Sequence, residues 1–140
     1  MAITESLESA TADLLAATIA RDVAAIKSHL KAGANVNAET VAGNSVLHAA
    51  ALGSSAEIVK TLIENGAQVD ARDKYGKTPL HCAARQGHVD VANLLIVKGA
   101  TVNAMAKNGA FPLDWAVRFD NEEVATLIRE HGGQTGKPFK

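Results

Sequence analysis

The chain has 140 residues, which is the size of one domain, and 47% of them are hydrophobic, which excludes a disordered chain. Its formal net charge of -1 gives no reason to expect a nucleic acid or an anionic membrane as a partner, and the single Cys82 excludes an internal disulfide. Residues 1–13 lack the layout of a signal peptide, and no apolar run approaches the roughly 18 residues that cross a bilayer, so we expect a cytoplasmic protein and leave signal-less secretion open.

Glycine and leucine residues recur every 33 positions along most of the sequence. Gly43, Gly76 and Gly109 keep this interval. Two further sets keep it as well: Leu14, Leu47, Leu80 and Leu113, and Gly33, Gly66, Gly99 and Gly132. One period shared by three sets predicts a single repeat domain, residues 1–140, with units at approximately 7–38, 39–71, 72–104 and 105–136 and a short C-terminal tail at 133–140.

The first two units each predict two short helices. The first unit has no Thr-Pro opening but keeps apolar residues at the repeat positions: Leu14, Ala17, Ile26 and Leu30. The second unit opens with Ser45-Val46-Leu47-His48, and four apolar residues of its second helix share one face: Ile58, Val59, Leu62 and Ile63. Lys60 and Glu64 lie four positions apart on the opposite face, where they can form an ion pair.

The third unit has the clearest helix signals. Thr78 can cap a helix with its hydroxyl group, and Pro79 suits the first helical position because its missing N–H is not needed there. We predict this helix over Leu80–Gln86, with a turn at Gly87-His88. A second helix is predicted from about Val89 to Lys98, ended by Gly99 in the left-handed conformation.

These motifs carry a resemblance to a known family. Thr78-Pro79-Leu80-His81-Cys82-Ala83 matches the Thr-Pro-Leu-His-x-Ala signature of the ankyrin repeat in full, and Ser45-Val46-Leu47-His48-Ala49-Ala50 matches it in part. The chain therefore resembles the ankyrin-repeat family from about Leu7 to Gly132. The resemblance implies an all-α solenoid of four helix-turn-helix repeats with projecting β-hairpin-like loops, in which neighbouring units bury each other's apolar faces.

The fourth unit departs from the family pattern at three places. Asp114 replaces the signature histidine, so the hydrogen bond expected there must differ. Phe111 replaces the capping threonine, so this helix start loses its side-chain cap. Asp120-Asn121 replaces the Gly-His turn. Atypical sequence is expected in a terminal repeat, so these changes leave the fold prediction intact.

Four sets of residues could suggest chemistry, and we favour a structural interpretation of each. His48 and His81 are imaginable as a metal pair, but the family uses this histidine to bond the local backbone. Cys82 follows His81, but adjacent helical residues do not face each other, so we expect a packing residue. Gly132–Lys137 resembles part of a phosphate loop but lacks its first glycine, so a frayed tail is expected. The acids at repeat positions are first-turn residues: Glu57, Asp90 and Glu123. We expect no metal, no cofactor and no catalysis.

The resemblance implies that partner contacts come from the loop tips and the first helices. Tyr75 attracts attention because an aromatic side chain at a loop tip has no core to enter. Trp115 leaves two interpretations open, since it could line the groove or plug the end of the stack. The candidate partner-binding residues are Arg72, Lys74, Tyr75, Lys77, Arg85, Met105, Lys107, Asn108, Trp115 and Arg118.

Six cations gather on this predicted side: Arg72, Lys74, Lys77, Arg85, Lys107 and Arg118. A solvated surface is one interpretation, and a basic groove for a partly acidic peptide or domain is the other. We expect a monomeric, non-enzymatic module that binds a protein or peptide, with neither nucleic acid nor membrane as a partner. The alternative is a structural segment of a larger assembly without a discrete partner.

Overall fold

The structure is a computed structural model that describes residues 12–39, 43–53 and 55–136. Eight short helices lie in these described ranges. In chain order they are α1 (12–19), α2 (Val23–Lys31), α3 (Val46–Leu52), α4 (Ala56–Glu64), α5 (Pro79–Gln86), α6 (Val89–Val97), α7 (Pro112–Arg118) and α8 (Glu122–Glu130). Leu7 and the other residues before position 12 lie outside the described residues, as do residues 40–42 and 54.

The helices pair along the chain and stack in two layers. Helix α5 packs against α3 and α7 in the layer of first helices, while α6 packs against α4 and α8 in the layer of second helices. The two helices of a pair are also in contact in α3–α4, α5–α6 and α7–α8. The structure therefore has the stacked helix pairs that the 33-residue period predicts.

The leucines that define the period occupy equivalent buried positions. Leu14 and Leu80 are 0% exposed, Leu47 is 1% exposed and Leu113 is 3% exposed. The second helices contribute the other half of the core with large aliphatic side chains, among them Ile26, Leu62, Leu95 and Ile128. Burying a side chain of this size stabilises the fold by about 1.5–3 kcal/mol, so the repeated leucines are central to the interfaces between pairs.

Helix starts follow the predicted capping chemistry. The hydroxyl oxygen of Thr78 accepts from the backbone N–H of His81, and His81 Nδ1 accepts from the backbone N–H of Thr78 at 3.0 Å. Ser45 and His48 form the same reciprocal pair at the start of α3. Helix α5 includes Pro79, so it begins one residue earlier than predicted.

The signature histidines also join neighbouring repeats. His48 Nε2 lies 2.8 Å from the carbonyl oxygen of Lys77, and His81 Nε2 lies 2.9 Å from that of Ala110. Because Nδ1 of each ring accepts a backbone N–H, the ring proton sits on Nε2, which donates to the carbonyl. The local bond expected for these histidines is confirmed, and each ring also spans 29 residues to the next repeat.

A second row of inter-repeat bonds comes from side chains that the sequence analysis did not identify. Asn37 donates to the carbonyl of Gly66 and accepts from the backbone N–H of Gln68, both at 2.9 Å. One period later, Asp70 accepts from the backbone N–H and the hydroxyl of Thr101 at 2.9 and 2.7 Å. These side chains fix the path of the chain between the second helix of one repeat and the loop of the next.

The fourth repeat keeps the geometry of the others with different side chains. The carboxylate of Asp114 accepts from the backbone N–H of Phe111 at 2.7 Å, which is half of the bonding done by the signature histidine. Phe111 provides no side-chain cap, as predicted. Asp120 takes the left-handed conformation with a φ of 58°, and Asn121 donates to the carbonyls of Ala84 and Arg85 at 2.7 and 2.9 Å.

The prediction of a frayed tail is wrong for residues 133–136. The backbone N–H of Gln134 donates to Asn103 at 2.8 Å, and the side chain of Asn103 donates to Gly132 at 3.1 Å. The backbone N–H of Gly136 donates to the carboxylate of Asp114 at 2.9 Å. Residues 133–136 therefore bond to Asn103 and Asp114, whose counterparts in earlier repeats bond to the following repeat. Residues 137–140 lie outside the described residues.

Candidate protein-binding groove

The loop tips before α5 and α7 are tight turns closed by backbone hydrogen bonds. The backbone N–H of Asp73 donates to the carbonyl of Lys77 at 3.0 Å, and Ala106 makes the equivalent bond to Ala110 at 2.9 Å. The buried carboxylate of Asp73 accepts from the backbone N–H groups of Tyr75 and Lys77, both at 2.9 Å. This network holds the Tyr75 side chain outward, where it is 57% exposed as predicted.

Neighbouring tips are bonded directly to each other. The backbone N–H of Lys107 donates to the carbonyl of Tyr75 at 2.9 Å. The guanidinium group of Arg72 donates to the carbonyls of Gly76 and Met105 at 3.0 and 2.7 Å. Arg72, which belongs to the candidate set, therefore holds two tips together whether or not it also touches a partner.

A hollow of about 420 Å³ lies where these two tips meet α7. Its lining joins residues of the tips to one residue of α7: Tyr75, Lys77, Ala106, Lys107, Asn108 and Trp115. Trp115 lines this hollow and also packs against the hydrophobic core. Five of the ten candidate residues come together here. Met105 is 57% exposed, and Lys74 approaches the Tyr75 ring from the side of the tip.

Aromatic rings and cations are paired along this surface. Lys74 Nζ lies 5.0 Å and Lys77 Nζ 5.6 Å from the centroid of the Tyr75 ring. Trp115 stacks on Phe119 with centroids 5.8 Å apart, and the Arg85 guanidinium lies 5.4 Å from the Phe119 centroid. Phe119 directly follows α7 and lies on the same side.

Exposed apolar side chains are concentrated on one side of the stack. Seven large hydrophobic side chains among the described residues are exposed, and six of them lie on first helices, at their ends or at loop tips: Ile19, Leu52, Tyr75, Met105, Val117 and Phe119. Only Val97, on α6, belongs to the layer of second helices. We call the side formed by the first helices and loop tips the groove.

Charge along the groove is uneven. Residues 72–86 and 105–118 together contain the six candidate cations and two acids, Asp73 and Asp114. Both acids are buried, at 8% and 7% exposure, and are engaged by backbone N–H groups. Residues 43–53, which include α3, contain no Asp, Glu, Lys or Arg. The basic character therefore belongs to the half of the groove near α5 and α7, where Arg85 and Arg118 are exposed at the helix ends.

Burial makes the two most reactive side chains of α5 poor candidates for chemistry. Burial lowers the pKa of His81 to about 4, although its hydrogen bond to Ala110 opposes the shift. Burial also raises the pKa of the Cys82 thiol to about 11, so Cys82 is a packing residue, as expected. The described residues contain no group of three or more His, Cys, Asp or Glu side chains placed to hold a metal ion.

A family model for ankyrin repeats, built for three copies, matches residues 14–106. The chain belongs to the ankyrin-repeat family. Ankyrin repeats are generally protein–protein interaction modules and generally lack enzymatic activity. The helix pair α7–α8 lies beyond the matched residues but continues the ankyrin stack. None of the curated proteins matches the chain. Within the ranges that the structure describes, no helix is long and apolar enough to cross a membrane.

Proposed function

We propose that the chain binds a partner protein or peptide in the groove and catalyses no reaction. The observation that carries the proposal is the placement of six of the seven exposed large hydrophobic side chains on this one side. Exposed apolar surface is costly to keep in water unless a partner covers it, and such patches mark interaction sites. Tyr75 and Trp115 belong to the residue types that contribute most to binding energy.

The groove is held in its binding shape before a partner arrives. The bonds of Asp73, Arg72 and Lys107 fix the two tips relative to each other, and Trp115 is held against Phe119. A partner therefore loses little free energy to ordering of the groove, which is the main cost that rigid binding proteins avoid.

The proposal includes an acidic character for part of the partner. Lys74 and Lys107 are exposed near Tyr75, and the two acids of these segments, Asp73 and Asp114, are buried. Carboxylates of a partner would be attracted to this half of the groove, which raises the association rate at low ionic strength. The monomeric state and the cytoplasmic location stay predictions.

Affinity capture with matched variants tests the proposal. Wild-type protein, Tyr75→Ala, Lys107→Glu and Lys27→Glu are immobilised and exposed to a lysate of the source cells, and bound proteins are quantified by mass spectrometry. Lys27→Glu is the control, because it makes the same change of charge on α2, away from the groove. We expect partners held by wild type and Lys27→Glu to be lost from Tyr75→Ala and Lys107→Glu, and equal retention by all four proteins would contradict the proposal.

A further inference from the structure

The groove contains a second hollow at its other end, between α1 and α3. It has a volume of about 330 Å³, and its walls include Ile19, Ala49, Leu52 and Ile58. Ile19 is 68% exposed and Leu52 is 43% exposed, so two aliphatic side chains stand at the rim of this hollow. The ten candidate partner-binding residues lie in the other half of the groove.

Hydrogen bonds fix the shape of the second hollow. The Thr18 hydroxyl donates to the carbonyl of Leu14 at 2.8 Å, which satisfies that polar group within α1. His88 Nε2 lies 3.1 Å from the carbonyl of Leu52 and ties the end of α3 to the following repeat. These bonds hold Thr18 and the end of α3, two parts of the wall of the hollow, in place.

The two hollows differ in charge. Lys77 and Lys107 line the hollow at Tyr75 and Trp115, and Lys74 lies over the Tyr75 ring. In the hollow at Ile19 and Leu52, Arg21 is the one charged side chain of the lining. A ligand complementary to both hollows carries an apolar side chain at each end, and its carboxylates are concentrated at the end near Lys74, Lys77 and Lys107.

The spacing of the repeats sets the length of such a ligand. One hollow lies between the first and second helix pairs, and the other lies between the third and fourth. Helices that pack side by side are about 8–10 Å apart, so the two hollows are separated by at least about 16–20 Å. An extended chain rises about 3.3 Å per residue, so at least about five or six residues separate the two contacts.

We infer that the partner enters the groove as an extended segment with two apolar anchors. One anchor sits in the hollow at Ile19 and Leu52. The other sits against Trp115, beside carboxylates that reach Lys74 and Lys107. The inference rests on the proposed function and adds the length and the chemistry of the occupant.

A library of random 16-residue peptides displayed on phage and selected on the full chain provides the probe. Selected peptides are synthesised at full length and as truncated forms that keep only the acidic half. Dissociation constants are measured by fluorescence anisotropy for wild type, Ile19→Ala, Tyr75→Ala and Lys27→Glu. Ile19 and Tyr75 are mostly exposed, so both substitutions leave the core intact, and a thermal melt of each variant verifies this.

We expect the selected peptides to carry two apolar residues at least five positions apart, with acids near one of them. Ile19→Ala should weaken the full-length peptides about fifteenfold, the effect of losing about two buried methylene-sized groups, and should leave the truncated peptides unchanged. Tyr75→Ala should weaken both forms, and Lys27→Glu should weaken neither. Sensitivity to Tyr75→Ala without sensitivity to Ile19→Ala would overturn the two-anchor inference alone, whereas insensitivity to both would also overturn the proposed function.

Discussion

The protonation of His81 should make the stability of the fold depend on pH. The ring is 1% exposed, its Nδ1 accepts from the backbone N–H of Thr78, and its Nε2 donates to the carbonyl of Ala110. Protonation of Nδ1 would place an N–H group of the ring against the backbone N–H of Thr78, so that two donors would face each other. Burial accordingly lowers the pKa of His81 from 6.5 to about 4.

The pKa values of His81 in the folded and the unfolded chain determine whether stability rises or falls with pH. Because the folded pKa of His81 is the lower one, the unfolded chain takes up a proton first as the pH falls below 6.5. The contribution of His81 to the free energy of unfolding is therefore fully present above pH 6.5 and decreases as the pH drops to about 4. Below about pH 4 this group causes no further decrease. With about 1.4 kcal/mol per pKa unit, the loss between pH 7 and pH 5 is about 2 kcal/mol.

Urea unfolding followed by circular dichroism at pH 7, 6 and 5 measures this loss. His81→Gln removes the titrating group, and the difference in slope between wild type and variant isolates it from the other histidines and the carboxylates. A parallel NMR titration of wild type needs no variant, and the His81 ring signals should not move between pH 8 and pH 5.5. An inflection near pH 6.5, or equal slopes for the two proteins, would refute the reasoning.

Four further predictions address the core, a loop tip, the cysteine and the groove. Leu80→Ala, at a residue that is 0% exposed, should cost about 2–5 kcal/mol in urea unfolding. Gly43→Ala and Gly109→Ala both strain a left-handed residue by about 1–2 kcal/mol. Only at Gly43 would the new Cβ lie 2.9 Å from a backbone nitrogen, so Gly43→Ala should lower the melting temperature of the protein further than Gly109→Ala does. Native Cys82 should react with a thiol reagent at pH 8 about a hundredfold more slowly than the unfolded chain does, because its pKa is about 11. Tyr75→Ala should weaken partner binding about thirtyfold by titration calorimetry while the melting temperature stays nearly constant.

The sequence predicted those features that depend on short-range patterns. Thr78 caps α5 and Leu80 is buried because a helix start and an amphipathic face are both written within a few residues. The ion pair of Lys60 and Glu64, at 3.9 Å, is confirmed for the same reason. Repetition of the motif then extended these local predictions to the whole stack, since neighbouring repeats must bury each other's apolar faces.

Features that depend on how one repeat meets the next were not predicted. Asn37, Asp70 and Asn103 recur at the 33-residue interval, so a signal was present, but their partners are set by the pitch of the stack. Arg72 was chosen as a candidate because it is a cation near a tip, and the sequence could not show that it bonds two backbone carbonyls. The hollow at Ile19 likewise exists only once two helix ends lie side by side.

The bonds of His48 and His81 to the next repeat span equal lengths of chain and end at equivalent atoms. Because these inter-repeat hydrogen bonds are equivalent, a further repeat can be inserted inside the stack. A tandem duplication of residues 72–104 would bring its own histidine, its own acceptor carbonyl and its own leucine, so the extra unit would dock without any new surface having to evolve. Such an insertion would add one loop tip to the groove. It would lengthen the segment that the groove can hold by about three extended residues.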